Sequence, residues 1–348
     1  MSNKLLMGGV AVLLFALYAI FFVKDDAKTE NAVSTTQKET SHLEIEEKSN
    51  KISNQVPVLK ELLPTDKTDN TLSSKSPPKI PFEGDWCIQM VDLSKEDLEF
   101  AKKESDDWAL KRGQIFFNRV DFSGEYTDRQ NSELLEPYRE IDLEELGNAI
   151  SNNDRLAMVA ALQRDDVEFE LKGVVADRLL MLGDTGVGLF HKISSQLINA
   201  KLNYREHGEV TPEARQYLQN ALTYVSYGIS RYDAMPLNSY LSVVTKGLHV
   251  SALNPFEILT MDDFESIKKN VEELTSNIDA QRIKENFLPI KQIDIPKIAE
   301  HEFQSGVAVI YMIHGELLDK LQPLNRNGSP TISRTQCVER YFDLYGME

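Results

Sequence analysis

Cysteine and positive charge are both scarce in this chain of 348 residues. It contains two cysteines, and its 38 Lys+Arg stand against 55 Asp+Glu, which gives a net charge of −17. Two thiols exclude a small disulfide-stapled scaffold and a four-cysteine zinc site within one chain. The lack of positive charge excludes a nucleic-acid-binding protein that depends on a basic surface. With 41% hydrophobic residues, the chain can still build a substantial core.

The short motifs that bind cofactors or perform catalysis are missing as well. The sequence has no phosphate-binding loop, nucleophile elbow or dinucleotide-binding fingerprint, and no two histidines have the spacing of metal ligands on a helix. Gly183–Gly188 is rich in glycine, but it lacks the preceding strand and the Lys of a phosphate loop, so we interpret it as a helix corner. Adjacent acids are too abundant to single out a catalytic pair. We therefore expect no cofactor, no metal site and no catalytic residues.

One long apolar run lies near the amino terminus, from Leu5 to Val23. It is uncharged and just long enough to cross the hydrocarbon core of a bilayer. Lys4 precedes the run and acidic residues follow it, which favours residues 1–4 in the cytoplasm. A cleaved signal peptide is the alternative, although Phe22 and Val23 make a poor cleavage site. We expect an uncleaved signal anchor in a bacterial inner membrane, with the C-terminal domain in the periplasm.

Residues 24–80 contain no Phe, Tyr or Trp. Such a segment cannot bury enough apolar surface to offset the entropy of ordering it, so we predict a disordered linker. Its nine Lys and ten Asp+Glu nearly cancel, and essentially the whole charge of −17 therefore belongs to the residues after Ile80. That excess favours a basic partner and argues against contact with anionic lipid headgroups.

Residues 81–290 show the three- and four-residue spacing of apolar side chains that predicts a helical domain. Capping signals mark helix starts at Ser94, Asp154 and Thr211, and Gly183 marks a helix end. The predicted helices cover about 95–112, 143–152, 154–162, 174–182, 185–203, 211–228, 237–249 and 262–286.

The C-terminal segment, residues 291–348, has a different pattern. Val307–Ile313 is rich in β-branched and aromatic residues, and His314-Gly315 separates it from a second apolar run, Glu316–Leu321. The pattern predicts a β-hairpin, followed by a helix from Thr335 to Tyr345, packed on the helical domain. A continuous helix through 307–321 is the alternative. The predicted fold is thus mainly α, with a small C-terminal β-hairpin.

Two predicted helix corners have similar sequences about 30 residues apart, Asn153–Ala157 and Gly183–Val187. A helix with small and aromatic residues follows, from Ala214 to Gly228. On these residues, the segment Asp142–Gly228 resembles the Sel-like repeats, relatives of tetratricopeptide repeats found in bacterial envelope proteins. The resemblance implies an α-solenoid of paired helices that holds peptides or partner proteins. An irregular helical bundle is the alternative.

Five tyrosines concentrate around two of the predicted helices and form the candidate partner-binding site: Tyr217, Tyr224, Tyr227, Tyr232 and Tyr240. Tyrosine is enriched in protein interfaces, and packing between helices is the alternative interpretation. We expect a membrane-anchored, non-catalytic scaffold that binds an envelope protein or peptide. A hydrolase of cell-wall polymer and a structural subunit of a membrane assembly are the alternatives.

Cys87 and Cys337 lie at opposite ends of the predicted domain, in a compartment that permits a disulfide. Two separate buried thiols and a reactive cysteine are the alternatives. We expect the variant Cys87→Ser/Cys337→Ser to lose up to about 5 kcal/mol of unfolding free energy, because the bridge restricts the unfolded chain. Thermal melts of both proteins measure this loss. Equal melting temperatures under oxidising conditions would rule the bridge out.

Overall fold

The computed structural model describes residues 93–113, 130–248 and 252–345. These residues form twelve α-helices and no β-strand, which confirms the prediction of a mainly α fold. The predicted signal anchor, the linker and Cys87 lie outside the described residues. The helices are α1 (Lys95–Lys111), α2 (Gln130–Glu140), α3 (Leu143–Ser151), α4 (Arg155–Gln163), α5 (Phe169–Met181), α6 (Val187–His207), α7 (Pro212–Ser230), α8 (Met235–Gly247), α9 (Pro255–Ile258), α10 (Met261–Lys284), α11 (Lys297–Lys320) and α12 (Gln336–Tyr345).

The predicted helix starts are confirmed by their caps. The Ser94 hydroxyl accepts the Asp97 N–H at 3.1 Å, and the Thr211 hydroxyl accepts the Ala214 N–H at 3.0 Å. Asp154 accepts N–H groups from the first turn of α4. The first N–H groups of a helix have no partner within the helix, so a short polar side chain in extended backbone stabilises its start. Each start therefore follows from local chemistry.

The predicted β-hairpin is wrong, because residues 307–320 are helical on both sides of a kink at His314. A two-residue hairpin turn needs positive φ at one or both central positions, whereas His314 has a φ of −136° and Gly315 is not in the positive-φ region. Helix α11 thus consists of two helical segments that meet at His314. The buried positions of α11 recur every three or four residues, so burial overrides the strand preference of the Val and Ile side chains. Sequence reasoning also misses α2, which contains Pro137.

Two hydrophobic cores lie side by side. The smaller one joins α2, α3, α4 and part of α5, and α4 is buried at every position from Leu156 to Leu162. The larger one joins α6, α7, α8, α10, α11 and α12. It therefore contains residues on both sides of position 290, where the predicted helical domain ends. Helix α5 belongs to both, because Leu179 packs in the smaller core and Leu180 in the larger. None of the described helices is both long and apolar enough to span a membrane.

Helices α6, α7 and α8 meet at Gly228, where a side chain does not fit. A Cβ at this position would lie 2.6 Å from Pro236 Cγ and 3.1 Å from Leu189 Cδ2. Real Cβ atoms essentially never approach another atom within 3.0 Å, so Pro236 would have to move, and the contact with Leu189 would also be unusually tight. The bare backbone of Gly228 therefore sets the distance between these helices.

We predict that Gly228→Ala lowers the free energy of unfolding by about 1–3 kcal/mol, because the added methyl group overpacks this contact. Gly147→Ala in α3 is the matched control, since a Cβ there would meet no atom of the described residues within 4 Å. The control should gain about 0.5–1 kcal/mol from helix propensity. Urea denaturation measures both changes, and a neutral or stabilising Gly228→Ala would contradict the close packing.

Candidate functional site

The five predicted tyrosines do not share a surface. Tyr227 and Tyr240 are fully buried in the larger core, so a segment lying on the surface would not contact them. Tyr217 and Tyr224 are half-buried on one stripe of α7, and Lys192 Nζ lies 5.6 Å from the centre of the Tyr224 ring. Tyr232 ends α7 and packs edge-on against Phe303. Only Tyr217 and Tyr224 remain available to a partner on one face.

Three helix corners are built alike, and we call them the Asp corners. In each, a residue with positive φ follows the end of one helix, and the carboxylate of the next residue, an Asp, accepts an N–H from the first turn of the following helix. The backbone N–H of each Asp also donates to the carbonyl five residues earlier, at 2.9–3.1 Å, which is the Schellman pattern of helix ends. The three pairs are Asn153-Asp154, Gly183-Asp184 and Tyr232-Asp233. The structure thus confirms that Gly183–Gly188 is a helix corner.

Helix α1 ends against the second and third Asp corners. The Thr185 N–H donates to the Arg112 carbonyl at 2.9 Å, and Arg112 Nη1 donates to the Tyr232 carbonyl at 2.7 Å. The Thr185 hydroxyl donates to the Asp233 carboxylate at 2.5 Å, which joins the two corners directly. All of these side chains except that of Tyr232 are almost fully buried. We call these buried residues, together with the buried Asp184 and Arg231, the corner hub. Its members are Arg112, Asp184, Thr185, Arg231 and Asp233.

Trp108 brings two of the hub arginines together. Its ring is fully buried, with the Arg112 guanidinium 5.2 Å and the Arg231 guanidinium 5.4 Å from the ring centre. Cations at such distances from a desolvated indole ring are stabilised by about 2 kcal/mol. Arg231 is 2% exposed, and its Nε and Nη2 have no hydrogen-bond partner among the described residues. The ring therefore supplies part of the compensation for burying this charge.

Asp184 is a strongly perturbed acid of the hub. Burial raises the pKa of its carboxyl to about 7, against the opposing influences of Arg155 and of the Gly188 and Gly186 N–H groups. Those two N–H groups donate to Asp184 Oδ1 at 3.1 and 3.0 Å. Gly113, which has a φ of 70°, lies against the second carboxylate oxygen, Oδ2. A Cβ at position 113 would collide with this oxygen.

The corner hub has the chemistry of a structural centre. Perturbed acids and unpartnered donors also occur in active sites, but an active site must admit a substrate. Asp184, Thr185 and Arg231 are each at most 2% exposed, so no substrate reaches them in this conformation. Within the described ranges, no three His, Cys, Asp or Glu side chains meet as a metal ion would require.

The sequence predicts the Gly183 corner but not the hub that is built on it. The available signal was an Asp directly after a helix-ending residue, repeated at 154, 184 and 233. A second signal was the Trp108/Arg112 pair, four residues apart and therefore on one face of α1. The pairing of these elements depends on tertiary contacts between positions up to 120 residues apart.

Negative charge is concentrated on the first helices after α1. Residues 130–177 contain 12 Asp+Glu and 4 Lys+Arg, a net charge of −8 within a chain total of −17. The same segment exposes large apolar side chains, which are Leu134, Leu143, Phe169, Leu171 and Val174. This part of the surface therefore combines excess negative charge with accessible apolar area.

Cys337 lies in the first turn of α12 and is disulfide-bonded. Cys87 falls outside the described residues, so its pairing with Cys337 stays a prediction.

Comparisons of the chain with known family models, with curated proteins and with solved structures find no match. The resemblance to Sel-like repeats consequently remains an expectation from the sequence.

We predict that the buried Asp184 carboxyl makes the folded domain less stable as the pH rises from about 4 to about 7. Its folded pKa, about 7, is above the ordinary value of 3.8, so the folded state holds a proton that the unfolded state has already released in this range. Asp184→Asn removes this titration while retaining an oxygen for the Gly186 and Gly188 N–H groups. The unfolding free energy of wild type minus that of the variant should therefore fall by roughly 1–3 kcal/mol between pH 5 and pH 8. Denaturation at a series of pH values measures it, and a constant difference would contradict the raised pKa.

Proposed function

We propose that this protein is a non-catalytic scaffold that binds another protein or peptide of the bacterial envelope. The single observation that supports this most strongly is the repeated Asp corner. It joins α3 to α4, α5 to α6 and α7 to α8 with the same backbone hydrogen bonds. Helices connected by one recurrent corner form arrays of helical hairpins, and such arrays present extended surfaces to partners.

The proposed location follows from the sequence. The apolar run Leu5–Val23 would anchor the chain in the inner membrane, and residues 24–80 would tether the helical domain in the periplasm. An acidic domain on a nearly neutral tether would stand away from anionic headgroups and remain accessible to soluble and membrane-bound partners. The excess negative charge favours a partner with a basic surface.

Crosslinking in native membranes tests this proposal. Wild-type protein with a C-terminal tag is treated with a lysine-reactive crosslinker, and the captured species are identified after purification. The matched control is Leu218→Asp, which places a charge at a fully buried core position and unfolds the domain while leaving residues 1–92 unchanged. A scaffold predicts at least one second protein that is captured with wild type and lost with the control. Recovery of the chain alone, or of identical species with both proteins, would contradict the proposal.

A further inference from the structure

Helix α5 presents an apolar stripe to solvent. Leu171 is 46% and Val174 is 64% exposed, and their three-residue spacing places both on the same side of the helix. Phe169, which is 48% exposed, lies at the N-terminal end of α5, with its ring 5.8 Å from that of His191. The opposite side of α5 is buried in the two cores. The helix thus has one packed side and one apolar side without a partner among the described residues.

The acids beside this stripe carry uncompensated charge. Asp165, Glu168 and Glu170 are exposed, and no cation of the described residues forms an ion pair with them. Acids near a helix N-terminus interact favourably with the helix dipole, so Glu168 and Glu170 can be explained without a partner protein. The exposed apolar stripe has no such explanation, since an exposed β-branched residue such as Val174 favours neither solubility nor helix formation.

Three of the four neighbouring cations already bind acids: Arg164 binds Asp166 at 2.6 Å, Lys192 binds Asp177 at 2.7 Å and Arg178 binds Glu285 at 2.5 Å. The fourth, Lys172, is half-buried and forms no ion pair among the described residues. The exposed acids on this side of α5 therefore outnumber its unpaired cations, which favours a ligand with positive charge.

We propose that the outward side of α5 is a docking surface for a basic amphipathic segment of a partner protein. Its apolar side chains would cover Leu171 and Val174, and its Lys or Arg side chains would lie against Asp165, Glu168 and Glu170. Complementary charge of this kind speeds association and rejects acidic competitors, while the apolar contact supplies most of the affinity. This inference rests on the proposed scaffold function and gives it a site and a partner chemistry.

Charge also distinguishes this occupant from the other candidates. A second copy of this chain would bring a second acidic surface against the first, and an anionic lipid surface would repel the same side chains. The residues after Ile80 carry a net charge of −17, so repulsion between copies is considerable. A basic segment meets neither obstacle.

The test uses the full chain in neutral maltoside micelles and a fluorescein-labelled model helix of about 18 residues, composed of Leu and Lys with an apolar side. Fluorescence anisotropy measures binding, with empty micelles as the blank. The variant Leu171→Ser/Val174→Ser should bind the peptide at least about tenfold more weakly than wild type. Glu168→Gln/Glu170→Gln should reduce the dependence of affinity on salt concentration.

The matched control is Val309→Ser/Ile313→Ser on α11, where the two side chains are 37% and 61% exposed and lie one helical turn apart. This control should bind as wild type does. Equal weakening by both double variants, equal binding of a peptide with Glu in place of Lys, or a wild-type dimer that Leu171→Ser/Val174→Ser abolishes would overturn the proposal. Thermal melts identify any variant that fails to fold, and Glu168→Gln/Glu170→Gln then still tests the site. A partner crosslinked elsewhere on the domain would leave the scaffold function standing while this site fails.

Discussion

The hydrogen bond from the Thr185 hydroxyl to the Asp233 carboxylate connects two helix corners that lie 48 residues apart in the chain. Arg112, at the end of α1, donates a hydrogen bond to the Tyr232 carbonyl and so joins this helix to the same corners. Burying these charges costs more free energy than one such hydrogen bond contributes. The network can form only because several donors and acceptors bind each other. The hub therefore specifies how the helices are arranged.

Charged side chains are arranged differently in the interior of the domain and on its surface. In the corner hub, Arg112 Nη1 lies 3.9 Å from Asp233 Oδ1, so that each charge reduces the cost of burying the other. On α2 to α5, acids outnumber cations by 12 to 5, and the excess faces water. A rigid interior with a strongly charged exterior suits a scaffold, because the binding surface is then ordered before the partner arrives.

Local chemistry made most of the helices predictable, whereas tertiary contacts did not follow from sequence. Ser94, Asp154 and Thr211 marked helix starts correctly, since a cap depends only on residues within one turn. The run at 307–313 predicts a strand, because β-branched residues favour strands in the absence of tertiary contacts. The packing of α11 in the larger core decides otherwise. The tyrosines show the same limit for the site: Tyr227 and Tyr240 are core residues, and nothing in their spacing separates them from half-buried Tyr217 and Tyr224.

Native-state hydrogen exchange tests most directly whether the corner hub holds the domain together as one unit. The decisive amides are those of Thr185, which donates to the Arg112 carbonyl, and Gly188, which donates to the Asp184 carboxylate. If the hub is the common support of the helices, both amides exchange only when the whole domain unfolds, with an exchange free energy equal to that of global unfolding. Exchange of both amides at a much lower free energy, while the amide of Leu218 in the core of α7 stays protected, would contradict the account.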